Sequence, residues 1–62
     1  MNLYKILVIN PGGANLNYNI YAYSFSVQDG VYRFYDKGKQ VIYSFPCNLS
    51  IIENIEKNVE KK

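Results

Sequence analysis

The run from Asn17 to Val27 alternates, with Tyr21, Tyr23, Phe25 and Val27 on one side and Ala22, Ser24 and Ser26 on the other, and Asp29-Gly30 follows it. A period of two marks a half-buried strand. Asp-Gly suits a type I′ turn, whose two central residues both need positive φ. The next run, Val31 to Asp36, is then the returning strand of a hairpin. A two-residue loop sets Val27 opposite Tyr32, Ser26 opposite Arg33 and Phe25 opposite Phe34, so each apolar residue meets an apolar partner. This pairing commits the middle of the chain to antiparallel sheet, and the remaining segments must be arranged around it.

Upstream, Leu3 to Ile9 is apolar apart from Lys5 and ends at Asn10-Pro11-Gly12-Gly13, which reads as a strand followed by a turn. The Asn-rich segment from Asn10 to Asn19 reads as a mobile loop. Downstream, Lys37-Gly38 leads into a strand from Gln40 to Phe45. A two-residue loop there places Phe34 against Val41 and Tyr32 against Tyr43; a four-residue loop, Lys37 to Gln40, changes the partners and keeps the faces. Pro46 ends that strand because it has no N–H to give a ladder.

Beyond Pro46 the pattern changes. Ser50 and Glu53 fit a capping box, with Asn48 as the alternative cap, and Ile51, Ile52, Ile55 and Val59 recur at helical spacing. Glu53 and Lys57 stand four apart on the polar side, and Lys61 and Lys62 complement a helix C-terminus. The spacing predicts a helix over residues 48–60, too short to be stable alone and therefore docked on the sheet. The expected fold class is α+β: an antiparallel four-stranded meander with one C-terminal helix packed on one face, as a single small domain over residues 1–62. Its expected core is Ile6, Tyr21, Tyr23, Phe25, Val27, Tyr32, Phe34, Val41, Tyr43 and Phe45 beneath Ile51, Ile52, Ile55 and Val59.

Composition narrows the function classes. A chain of 62 residues has room for one core, and at this size a second copy often completes it, so a homodimer is the default. There is no His and one cysteine, Cys47, which cannot form an internal disulfide; the chain reads as cytoplasmic, without membrane span or leader. Metal ligands reduce to the carboxylates Asp29, Asp36, Glu53, Glu56 and Glu60, which read as turn and solvated residues. Cys47 follows Pro46 with no basic neighbour and reads as an idle thiol. No catalysis, metal or cofactor is expected.

Seven tyrosines stand out in a chain this short. Tyr21, Tyr23, Tyr32 and Tyr43 fall on the face assigned to the helix, while Tyr18 and Tyr35 point away. Closing a hairpin over Asn10 to Asn17 brings Ile9 opposite Tyr18 and Leu7 opposite Ile20, an uncovered apolar patch suited to a second copy or a partner protein. Single-stranded nucleic acid is the alternative partner, with bases stacked on Tyr35 and phosphates met by Arg33 and Lys39. A net charge of +2 gives that reading a small basic footprint. A subunit of a larger assembly is the third class.

Two resemblances follow from these residues. The run Tyr4-Lys5-Ile6-Leu7-Val8-Ile9-Asn10-Pro11-Gly12-Gly13 is similar to the opening strand and phosphate loop of the acetate and butyrate kinase family. That family continues with a Ser/Thr-rich stretch and needs two large domains, whereas Gly13, Ala14, Asn15 and Leu16 stand here in a 62-residue chain. The Asn-, Lys-, Ile- and Tyr-rich composition and the size resemble small phage-encoded anti-defence proteins of the anti-CRISPR kind. That resemblance implies an inhibitor that occludes a host defence protein, and it assigns no residue roles.

Overall fold

Apolar β-branched and aromatic residues run through nearly every segment, and the chain resolves them into two small sheets. A computed structural model describes residues 1–59. The strands are β1 (Asn2–Val8), β2 (Leu16–Ala22), β3 (Ser24–Gln28), β4 (Val31–Tyr35), β5 (Val41–Pro46) and β6 (Ser50–Glu56), with one 3-10 turn, η1 (Cys47–Leu49). One sheet has the order β2-β1-β6 and the other β3-β4-β5, all neighbours antiparallel.

The hairpin of β3 and β4 has the register expected from Asp29-Gly30: Phe25 pairs with Phe34, Ser26 with Arg33 and Val27 with Tyr32. Both turn residues have positive φ, 52° and 72°, as the type I′ geometry requires. Between β4 and β5 the pairing is Tyr32 with Phe45 and Phe34 with Tyr43. This replaces the two-residue-loop partners and matches the longer connection. Asp36 closes that turn by accepting the Lys39 N–H at its carbonyl and the Gln40 N–H at its carboxylate.

The expected α+β architecture is corrected by the C-terminal segment. Residues 50–56 form β6, paired with β1, and among the described residues no α-helix covers the sheet; Glu60, Lys61 and Lys62 lie outside the described residues. The misleading periodicity has a physical origin. Lys5 pairs with Asn54 while the next residue, Ile6, pairs with Ile52, so Glu53 is an extra, bulged residue. The bulge puts Ile52 opposite Ile6 and Ile55 opposite Tyr4, which sends both isoleucines to the core side despite a spacing of three. A short helix is marginal in water, whereas β-branched Ile51, Ile52 and Ile55 suit a strand and β1 has a second edge to pair.

A second interruption divides the long alternating run. The chain leaves the first sheet after Ala22 and enters the second at Ser24, with Tyr23 as the corner. The Tyr23 N–H donates to the Tyr35 carbonyl at 2.9 Å, and its own carbonyl accepts from the Asn2 side-chain amide at 3.3 Å. Core-facing residues are therefore even-numbered in β2, Ile20 and Ala22, and odd-numbered in β3, Phe25 and Val27. Tyr21, expected beside Phe25, is half-buried on the opposite side of its sheet, and Tyr23 is exposed.

The core sits between the sheets. Tyr4, Ile6, Ile20, Ala22 and Phe34 are buried, with Val8, Tyr32, Phe45 and Ile52 packed against them. Aromatic edges join the layers: Tyr4 meets Phe34 at 4.9 Å and Phe25 at 5.6 Å, and Tyr18 meets Phe45 at 5.5 Å. Of the expected core, Ile6 and Phe34 are buried and Tyr32, Phe45 and Ile52 flank them. Val27, Val41, Tyr43 and Ile51 are exposed, since a molecule only 14 Å through its thinnest dimension cannot enclose every apolar side chain.

Among the described residues one buried side-chain polar atom has no hydrogen-bond partner: Oγ of Ser50, which lies opposite Val8. Ser50→Ala removes that atom and leaves the packing intact. The substitution is expected to hold stability level or raise it by about 1 kcal/mol, measured as the urea midpoint of the variant against the parent.

Candidate interaction surface

Turn chemistry and the two interruptions decide which side chains reach solvent. In β3 the residues that alternate with the core-facing Phe25 and Val27 are Ser24, Ser26 and Gln28, and their partners in β4 are Tyr35, Arg33 and Val31. The β3 part of this outer face is consequently polar. Ser26 Oγ and the Tyr35 hydroxyl share a hydrogen bond of 2.7 Å, and Arg33 donates to the Gln28 side-chain carbonyl at 2.7 Å. Ser24, Phe25, Ser26, Gln28, Tyr35 and Lys39 line an open depression of about 340 Å³. Tyr35 and Lys39 thus share one hollow, and Arg33 reaches its rim through Gln28.

The other sequence-derived patch is dispersed. The β1–β2 register is Tyr4 with Ile20, Ile6 with Tyr18 and Leu7 with Asn17, three residues away from the expected pairing. An odd shift exchanges faces. Ile20 is buried and Tyr18 lies on the core side against Phe45, while Leu7 is half-buried on the opposite side and Ile9 is exposed beyond the end of β1. The connection accounts for the difference: β2 begins at Leu16, inside the segment expected to be a loop, and Asn10 closes a turn by accepting the Gly13 N–H.

A different apolar surface appears on β5. Val41, Ile42 and Tyr43 are consecutive and 52%, 42% and 43% exposed. Tyr43 pairs with Phe34 on the core side and Val41 with Tyr35 on the outer side, so both sides of the strand carry an exposed apolar residue. The register shift at Phe34/Tyr35 places Ile42 as the unpaired residue of this stretch. β5 also ends its sheet, with β4 as its one hydrogen-bonded neighbour. The sequence signal for this surface was present as the uncharged run Val41 to Phe45, which the assignment to the helix-covered core concealed.

Protein-family models, curated proteins and solved structures were compared with the chain, and none matches.

What the arrangement can do chemically follows from its side chains. Among the described residues no group of three or more metal-ligating side chains comes together, and no described helix is long and apolar enough to cross a membrane. Cys47 is half-buried in η1, which is pinned at both ends: the Cys47 N–H donates to the Gly30 carbonyl, and the Leu49 carbonyl accepts from the Ile9 N–H. Lys5, Arg33, Lys37, Lys39 and Lys57 are offset by Asp29, Asp36, Glu53 and Glu56 among the described residues. The surface therefore offers apolar contact area and sheet edges more than concentrated charge.

Proposed function

We propose that this protein is a small non-catalytic interaction module that acts as a homodimer, binding another macromolecule and occluding part of its surface. The observation that carries the reading is the exposed Val41-Ile42-Tyr43 run on an end strand. Contiguous exposed apolar surface is costly to leave in water and marks contact sites. Occlusion needs shape and a few anchoring side chains and no reactive group. A phage-type inhibitor of a host defence protein is the finer form of this reading, supported by size and composition.

Single-stranded nucleic acid is the second reading, favoured by the hollow that holds Tyr35 and Lys39 with Arg33 at its rim. One experiment separates the two. The tagged protein and its Val41→Lys/Ile42→Lys variant are passed over host lysate and, in parallel, titrated against labelled oligonucleotides at several salt concentrations. The module reading expects a protein, or a second copy of the chain, retained by the parent and lost by the variant, with no oligonucleotide affinity. Oligonucleotide binding that weakens steadily with salt, unchanged in the variant and lost in Tyr35→Ala, overturns it in favour of nucleic acid.

A further inference from the structure

We propose that the hollow along β3 binds a small phosphate monoester, with Lys39 meeting the phosphate and the donors along the strand holding the organic body. The proposal reaches beyond the interaction-module reading and stands whether or not Val41 and Ile42 hold a partner.

Lys39 occupies its position at a cost. The turn after β4 closes with the Lys39 N–H donating to the Asp36 carbonyl, and Lys39 itself has a φ of 64°. A loop of this kind favours glycine at its left-handed residue, because a Cβ there crowds the backbone. Gly38 stands one position earlier, outside the left-handed region. The other described residues with positive φ are Gly12, Gly30, Asp29 and Asn58, all of types that tolerate it. Lysine is the exception. Backbone strain held by a residue of the wrong type points to a side chain kept for what it does.

The hollow supplies a use for that side chain. Among the described residues it is lined by Ser24, Phe25, Ser26, Gln28, Tyr35 and Lys39, which include one cation and no carboxylate. Its polar groups are left to donate. The Gln28 side-chain oxygen is taken by Arg33, so its amide nitrogen is the end available to a ligand. Ser26 and Tyr35 share a single hydrogen bond, which uses one of their two hydroxyl hydrogens and leaves the other. Ser24 adds a further hydroxyl. A positive, donor-rich hollow suits an anion.

The layout favours a phosphate on an organic body over a bare ion. Ser24 pairs with Tyr35 at the end nearest Lys39, and Gln28 lies four residues further along β3, roughly 13 Å away at about 3.3 Å per residue. One end offers charge and the other an amide. A phosphate monoester carries close to two negative charges at neutral pH, whereas each internal phosphate of a nucleic-acid strand carries one.

The test is an NMR titration of the full chain with uridine monophosphate, uridine, inorganic phosphate and an oligonucleotide lacking terminal phosphates, with the urea midpoint as a second readout. Uridine monophosphate is expected to shift the amides of Ser24, Ser26, Gln28 and Lys39 saturably, and uridine and inorganic phosphate to bind at least about tenfold more weakly. Lys39→Gly and Lys39→Asn are expected to lose that binding by at least about tenfold while the midpoint holds or rises, and Lys39→Arg to keep it. No saturable shift, inorganic phosphate binding as tightly as the monoester, or unchanged affinity in Lys39→Asn overturns the proposal. So does a midpoint lowered in both Lys39→Gly and Lys39→Asn, which would make the lysine a requirement of the fold. Oligonucleotide affinity that exceeds that of the monoester and grows with strand length overturns it in favour of the nucleic-acid reading. Each of the other failures leaves the interaction-module reading standing.

Discussion

Replacing Phe34 with alanine is expected to leave the protein largely unfolded at room temperature. The Phe34 side chain is fully buried and touches three rings, Tyr4 at 4.9 Å, Phe25 at 5.7 Å and Phe45 at 5.9 Å. Truncating a buried phenylalanine costs about 3–5 kcal/mol, from lost transfer energy and the cavity left behind. A chain of this length has a total stability of about 3–9 kcal/mol, at roughly 0.05–0.15 kcal/mol per residue. The loss is comparable to the whole. Tyr4 and Phe45 belong to different sheets and meet at this ring, so its removal uncouples the layers, and one layer has too little apolar surface to stand alone. Urea unfolding followed by circular dichroism measures the effect, with Phe34→Leu expected to remain folded at a smaller cost. A fully folded Phe34→Ala with an unshifted midpoint would count against the two-sheet core.

The second large effect distinguishes strand from helix in the C-terminal segment. Ile52→Lys places an ammonium on the core side opposite Ile6 and is expected to cost about 3 kcal/mol or more. Ile51 is 49% exposed on the reverse side, and Ile51→Lys is expected to change stability by no more than about 0.5 kcal/mol. A helix over residues 48–60 would put both isoleucines on its buried stripe and make both substitutions costly. The pair of denaturation midpoints therefore reads the backbone conformation directly: one large shift and one small shift for a strand, two large shifts for a helix.

These two residues also show where reading the sequence works and where it stops. The β3–β4 hairpin was legible because its information is local. Asp29-Gly30 dictates the turn, the turn dictates the register, and the flanking alternation agrees with both. The first strand and the end of β5 at Pro46 were legible for the same reason. The C-terminal segment misled because a single bulged residue, Glu53, turns a period of two into an apparent period of three at Ile52 and Ile55. Tyr23 did the opposite. By occupying a corner it let two strands on different sheets look like one alternating run from Asn17 to Val27.

The candidate surface divides along the same line. Tyr35, Arg33 and Lys39 come close together because the hairpin that places Tyr35 and Arg33 was read correctly. The patch of Leu7, Ile9, Tyr18 and Ile20 did not assemble because its loop length was assumed, and a shift of three residues in the β1–β2 register sent Ile20 into the core.

By itself the sequence determined the antiparallel hairpin, its register and the apolar character of the segments on either side, since these depend on neighbours a few positions apart. Only the tertiary structure decided that residues 50–56 would be a strand, that β2 and β3 would part at Tyr23, and that β5 would end a sheet with an exposed apolar residue on each side. Each of those outcomes depends on which edges and faces remain available once distant segments have packed, and strand pairing across more than forty residues, as between Leu3 and Glu56, leaves no local trace.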